Sequence, residues 1–422
     1  MKKWFLDSRD TFLSNGLRVI SIKRDTQIFS VHGGINIGSL YEKDSEKGIC
    51  HFIEHMLFKG TESKSNEELN NELELLGGEY NAYTDYSCTV YSISALSEEL
   101  PKGLELLSDM IINSNFDSNE FERERGVILA ELRTNKDDVE DYSFNKTYET
   151  AFNKSPLKYD VGGTEKHVES FSKEYLVSFY KKHYIPNNSC ITIVSNYEHD
   201  DIIKLVKKYF SNWKKGELEL RNAPTEDNIP GKFVSYKSDI EQSTLIYLYT
   251  LHNISREEEL PLKILSLRLG ESSNSILFRE LREKRGLAYD VYTNMDLTKN
   301  VKTFVIYTAI SDENLDETTE VIDKCIEDIK NRNIIFDKNT VELMKKVHKT
   351  AVASIMEDST DLCNYVMHQA LEDEPINEFI NDMEELENLT EEHVYNVAKK
   401  VLNNSTVHIL KSDEEDDEEE EE

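Results

Sequence analysis

The stretch Gly48-Ile49-Cys50-His51-Phe52-Ile53-Glu54-His55-Met56-Leu57-Phe58 decides how this chain is read. It has the look of a helix in which three polar residues interrupt an apolar run. His51 and His55 are four apart, so they project from one face, one turn above the other. Two imidazoles so placed can grip one metal ion, zinc being the usual choice. Glu54 is three from His51 and shares that face. A carboxylate there can take a proton from a metal-activated water. The order H-x-x-E-H inverts the commoner H-E-x-x-H.

A closed protein site needs a third ligand. The segment from Glu120 to Leu132 reads as a second helix, with Phe121, Val127, Ile128 and Leu132 as its apolar stripe. Glu124 and Glu131 are seven apart, two turns, and share a face. Three segments together, His51 to Thr61, Gly77 to Thr84 and Glu122 to Glu131, resemble the pitrilysin-type (M16) metallopeptidases, whose H-x-x-E-H order is the inverzincin signature. The resemblance covers nearly the whole chain. It is nearest to the bacterial processing-peptidase-like (M16B) members and to the catalytic subunit of the mitochondrial processing peptidase.

The resemblance implies one Zn2+ per chain, held by His51, His55 and Glu131, with Glu54 as general base. It makes Glu124 an accessory carboxylate of the catalytic centre. It implies an α+β fold of two homologous α/β halves. Each would be an antiparallel-rich sheet covered by helices, and the halves would close like a clamshell around the substrate.

Composition suits such a protein. The 422 residues are 38% hydrophobic and 31% charged, enough for two to three globular domains. The formal charge is −33, and the ten acids of Asp413 to Glu422 leave −23 on the rest. That balance argues against nucleic acid, which needs basic stripes, and against an anionic membrane surface. Cys50, Cys88, Cys190, Cys325 and Cys363 are scattered and lack C-x-x-C spacing, as expected in a reducing compartment. The first ten residues hold too few apolar side chains for a signal peptide, and no run of some eighteen apolar residues exists. The expectation is a cytoplasmic protein.

Taken in order, Thr11 to Ile20 looks like a hairpin turning at Asn15-Gly16. A strand runs from Phe29 to Ile37, alternating in polarity, and the metal helix follows. Asn66 to Leu76 is a further helix, stopped by Gly77-Gly78. Two β-like segments come next, Glu79 to Tyr86 and Cys88 to Leu96. The resemblance makes the first an edge strand that pairs with extended substrate, with Asn81 and Ala82 at the contact. Helices then fall at Glu98 to Asn113 and from Ser118 to about Asn135. After a polar stretch, Ser172 caps a helix that runs to Tyr184. A strand from Asn187 to Val194 and a helix near Asp200 to Phe210 complete the half.

The segment from Lys214 to Gly231, polar and holding Pro224 and Pro230, reads as a linker. This gives an N-terminal half over 1–213, a linker over 214–231, a C-terminal half over 232–411 and an acidic, disordered tail over 412–422. The halves echo each other. Asn187-Asn188-Ser189 returns 216 residues later as Asn403-Asn404-Ser405, and Lys181-Lys182 returns as Lys399-Lys400, as a duplication would leave them.

The second half has no H-x-x-E-H. It carries Leu281-Arg282-Glu283-Lys284-Arg285-Gly286-Leu287-Ala288-Tyr289 instead. In the resembling family an Arg and a Tyr seven apart contact substrate, and here that spacing selects Arg282 and Tyr289. Zinc motif and Arg/Tyr pair lie on one chain, which points to a complete zinc metalloendopeptidase; the resemblance implies that it takes short or unfolded peptides and works as a homodimer. Two other readings stay open: a peptide-binding, chaperone-like homologue without turnover, and a protease dedicated to maturing one cytoplasmic peptide.

Overall fold

A computed structural model describes residues 5–219, 223–272 and 274–412. The expected acidic tail falls almost wholly outside that range. The strands are β1 (Ser8–Phe12), β2 (Arg18–Lys23), β3 (Ile28–Ile35), β4 (Glu79–Thr84), β5 (Thr89–Leu96), β6 (Ser189–Ser195), β7 (Gly231–Lys237), β8 (Ser243–Thr250), β9 (Ala288–Asp296), β10 (Thr303–Ile310) and β11 (Thr406–Ser412). The first helices are α1 (Ile49–Leu57), α2 (Asn66–Glu74), α3 (Leu100–Asn113), α4 (Ser118–Asp137) and α5 (Val139–Ala151).

The chain forms two compact units. One comprises 1–133, 160–223 and 351–381, the other 134–159, 224–350 and 382–422. The sequence suggests continuous halves divided at 214–231, but the units are discontinuous. Two segments account for the difference. The first is α5, inside the stretch that reads only as polar, and it packs on β8 and β11 of the second unit. The second is the helix Ser359–Leu371, which packs on β3 and β6 of the first.

The first unit's sheet has the order β1-β2-β6-β3-β5-β4. Only β2 and β6 run parallel; every other pair is antiparallel. Both faces are covered, so β6 is buried along its whole length, as a strand between two helical layers must be. Gly34 on β3 shows how tight one layer is: a Cβ there would lie 2.9 Å from the Leu371 side chain.

The second unit's sheet has the order β7-β11-β8-β10-β9. Its single parallel pair is β7 with β11. Strand for strand it repeats the first sheet without β1. In each, the strand after an Asn-Asn-Ser turn pairs in parallel on one side and antiparallel on the other. The duplicated tripeptides therefore open equivalent strands.

Candidate metal centre and substrate edge

Helix α1 begins without a side-chain cap of its own, because Gly48 stands at the N-cap with φ +91°. Glu42 takes that role from the preceding loop, accepting hydrogen bonds from the backbone N–H of Gly48 (3.0 Å) and of Cys50 (2.9 Å). Two orphan donors of the first turn are thus satisfied. Gly48 also lies against another backbone. A Cβ there would collide with the Gly162 carbonyl, and one on Gly163 with the Lys47 carbonyl.

The inner face of α1 buries Ile49, Phe52, Ile53, Met56 and Leu57. Phe52 stacks on Phe121 of α4, ring centroids 5.0 Å apart and 5° from parallel. That contact sets the spacing of the two helices that carry the polar groups. The buried stripe of α4 is Phe121, Glu124, Ile128 and Leu132. Val127, expected in the stripe, is 45% exposed. Glu124 replaces it on the inner face because it has two partners there.

His51, His55 and Glu131 come together. His51 Nε2 lies 3.3 Å from His55 Nε2 and 3.6 Å from Glu131 Oε1, and His55 Nε2 lies 3.4 Å from Glu131 Oε2. Ligand bonds of about 2.0–2.1 Å give a zinc tetrahedron edges of about 3.3–3.4 Å. The closest approaches among the three side chains are near those edges, His51 meeting Oε1 and His55 meeting Oε2 of Glu131. Protons point the same way. The Glu124 carboxylate accepts from His55 Nδ1 at 3.2 Å, so a neutral His55 keeps its proton on Nδ1 and turns the lone pair of Nε2 toward Glu131. A site of converging lone pairs needs a cation.

Without a metal the balance is struck by a proton. Burial pulls the His55 imidazolium down, but Glu124 and Glu131 outweigh it and raise its pKa to about 9. His51 is pulled down, by burial first and by His55 second. The Glu131 carboxyl is lowered, chiefly by its hydrogen bond to His55. Glu124, 3% exposed, also accepts from Lys59 Nζ at 2.9 Å. That bond and His55 overcome the cost of burial and keep it ionised.

Glu54 stands beside this cluster. Its Oε2 accepts from the Thr84 hydroxyl at 2.7 Å. Burial raises its pKa against that bond, which suits a carboxylate that must take up and release a proton.

Thr84 ends β4, and among the described residues β4 has a strand partner, β5, on one side only. The Ala82 N–H donates to the Asn81 side chain at 2.9 Å. An open edge with a loosely occupied donor is what a peptide strand can add to.

Arg282 and Tyr289 belong to the second unit. Arg282 lies in a π-helical turn, Phe278–Glu283, closed by a bond from Lys284 N–H to the Arg279 carbonyl. Its guanidinium sits over the rings of Phe278 and Tyr289, 5.0 and 5.3 Å from their centroids. Tyr289 falls where the β9–β10 register slips and is 75% exposed. A bulge of this kind re-aims a side chain.

Sequence reasoning missed Thr84, Lys59 and Glu42. Lys59 carried a signal, since it follows His55 by four and shares its face. Thr84 and Glu42 carried none, because strand pairing and a loop reversal bring them to α1.

Comparison with known proteins agrees. The family model described as "Insulinase (Peptidase family M16)" matches residues 18–165, and "Peptidase M16 inactive domain" matches 170–346. A protein of Rickettsia felis named "Uncharacterized zinc protease" is 30% identical over 408 residues, 93% of this chain and 95% of its own length. "Uncharacterized zinc protease YmxG" of Bacillus subtilis is 30% identical over 339 residues, 78% of this chain and 81% of its own. The fold matches that of a protease crystallised from Helicobacter pylori, with TM-score 0.89 and 22% identity, covering 97% of this chain and all of that one. The chain belongs to the M16 peptidase family. The "inactive domain" match begins inside the first unit and runs into the second, which has no H-x-x-E-H.

Proposed function

We propose that this chain is a zinc-dependent endopeptidase acting on peptides bound in extended form. One observation carries the reading. Ligand atoms of His51, His55 and Glu131 converge within 4.8 Å of one another, near enough to Glu54 for His55 and Glu131 to act on its charge. A zinc ion held there supplies Lewis acidity toward water and a peptide carbonyl. Glu54 takes the proton of the attacking water and delivers it to the departing amide nitrogen. Thr84 holds the carboxylate for that transfer. Glu124, braced by Lys59, fixes the tautomer and tilt of His55.

The open edge of β4 supports the substrate class. A peptide that adds as a strand must offer free main chain, so short or unfolded chains fit and folded ones do not. On docking, a substrate carbonyl replaces Asn81 as partner of the Ala82 N–H. We assign Arg282 to a substrate carbonyl or carboxylate and Tyr289 to hydrogen bonding near the scissile carbonyl. The exposed bulge position of Tyr289 supports this. The expected state is a homodimer without nucleic-acid or membrane partners. Among the described residues no helix is long and apolar enough to cross a membrane. The cysteines there are buried and form no disulfide, which fits the cytoplasm.

The test is Glu54→Gln against the unchanged chain on a defined peptide mixture. The enzyme reading expects cleavage to fall at least ~10²–10⁴-fold while zinc stays bound. If the unchanged chain cleaves nothing and both bind peptide equally, the chain is a binder. Mapped cleavage sites separate a general peptidase from a dedicated maturation protease: many sites mark the first, one sequence the second.

A further inference from the structure

A second cluster of metal-competent side chains lies in the first unit, and the proposed catalysis does not use it. The β4–β5 turn, residues 85–88, brings Asp85 and Cys88 together. The helix Ser359–Leu371 brings His368 to them. Ligand atoms of the three all fall within 4.8 Å of one another. Cys88 Sγ lies 3.4 Å from Asp85 Oδ2, and His368 Nδ1 lies 3.9 Å from that oxygen.

The surrounding bonds aim each donor inward. Asp85 Oδ1 is taken by the backbone N–H groups of Ser87 and Cys88, both at 2.6 Å, which leaves Oδ2 facing the sulfur. The Tyr83 hydroxyl has one proton and donates it to Asn364 Oδ1 at 2.5 Å. Its oxygen, 2.8 Å from His368 Nε2, must then accept that nitrogen's hydrogen. The lone pair of His368 is thereby placed on Nδ1, toward Asp85 and Cys88. Tyr83 and His368 also stack, 11° from parallel, so the ring is held at that tilt.

We infer that Asp85, Cys88 and His368 form a second metal site, built for a borderline-soft divalent cation such as zinc or cobalt. One thiolate, one imidazole and one carboxylate are a zinc-type donor set. Thiolate and carboxylate together cancel the charge of a divalent ion, which the buried Cys88 side of the site favours. The metal-free pair instead keeps a proton on sulfur, the S–H donating to Asp85. Burial and Asp85 hold the thiol's pKa well up. The cation replaces that proton, and each donor moves in by less than about one ångström to reach bonding distance. Asp85 and His368 are partly exposed, 33% and 28% along their side chains, and give the ion a way in. A filled site clamps the β4–β5 turn to the helix behind it, one residue from Thr84. The inference does not depend on the catalytic reading.

Cobalt tests it, because thiolate-to-cobalt charge transfer gives a near-ultraviolet band that a site without sulfur lacks. The purified full-length apo chain is titrated with Co2+ alone, alongside Cys88→Ser, Asp85→Asn and Glu131→Gln, with far-UV dichroism as the check on folding. The expected result is two ions per chain and a sulfur band in the unchanged protein. Cys88→Ser should fold, bind one ion and show no band; Asp85→Asn should weaken the band's half-saturation by tenfold or more. Glu131→Gln should keep the band, which separates this site from the His51/His55/Glu131 cluster. A saturated, unchanged chain without the band overturns the proposal, as does a band that survives Cys88→Ser.

Discussion

Glu54 is set by its burial, by the Thr84 hydroxyl that bonds it and by the charges of the nearby His55 and Glu131. Thr84→Val keeps the shape and removes the hydrogen bond. We expect kcat to fall about tenfold with zinc content and KM little changed, since only the angle of the carboxylate is lost. Glu124→Ala removes the acceptor of His55 and strands Lys59. Zinc affinity should fall about 10–100-fold in competition with a chelator. The raised His55 pKa has a sign that can be checked twice. In the apo chain the folded pKa of about 9 stands above the unfolded value of about 6.5. His55 then stabilises the apo fold fully below about pH 6.5, and the contribution is lost as pH rises through 9. Zinc must displace that proton, so its affinity should rise about tenfold per pH unit from 7 and flatten near 9. A flat profile across that window would show that His55 carries no such proton. At this scale the sequence was most informative where spacing on one helix sufficed, as for His51, Glu54 and His55. It was silent on Thr84, which only the pairing of β4 with β5 brings to the site.

Helix α1 owes its start to Glu42 and to the backbone of 162–163. Gly48→Ala should therefore do more than cost the roughly 1–2 kcal/mol of a left-handed alanine. It should push α1 off its contact, lower the thermal midpoint and weaken zinc binding together, whereas Gly126→Ala, on the open face of α4, should raise the midpoint slightly and leave zinc binding unchanged. The edge strand offers a cleaner separation. Ala82→Pro deletes the N–H that now bonds the Asn81 side chain, and KM for peptides should rise several-fold with zinc content intact. Helices with strong periodicity were legible from sequence to within a turn, α1 and α3 among them. Helix α5 was not, because Val139 to Ala151 is rich in charged and polar residues and its buried residues are Ser143, Thr147 and Ala151. Small side chains against a sheet leave no apolar stripe to read. Val127 erred the other way, an apolar residue on the exposed side of a helix whose inner face gives a place to Glu124.

Across the molecule, the two sheets share one strand order, and only one keeps the metal residues. In the second unit the helix Arg256–Ser266 follows β8 as α1 follows β3, and it has no histidine. Duplication followed by loss of one site explains this, while the Arg282–Tyr289 pair is the second unit's own. The Asn-Asn-Ser echo made the duplication visible in the sequence. The exchange of α5 and the helix Ser359–Leu371 was invisible there, because it depends on which sheet each helix meets. Sedimentation should give the mass of two chains; a single-chain mass with full activity would remove the homodimer. The proposed peptidase activity depends on an ion held by two imidazoles and one carboxylate. Its most direct test is a zinc titration of the apo chain with peptide cleavage as readout. Cleavage should climb from zero, reach a plateau once the His51/His55/Glu131 site is filled, vanish with a chelator and stay absent in Glu131→Gln. Cleavage by the chelated apo chain, or full activity in Glu131→Gln, would contradict it.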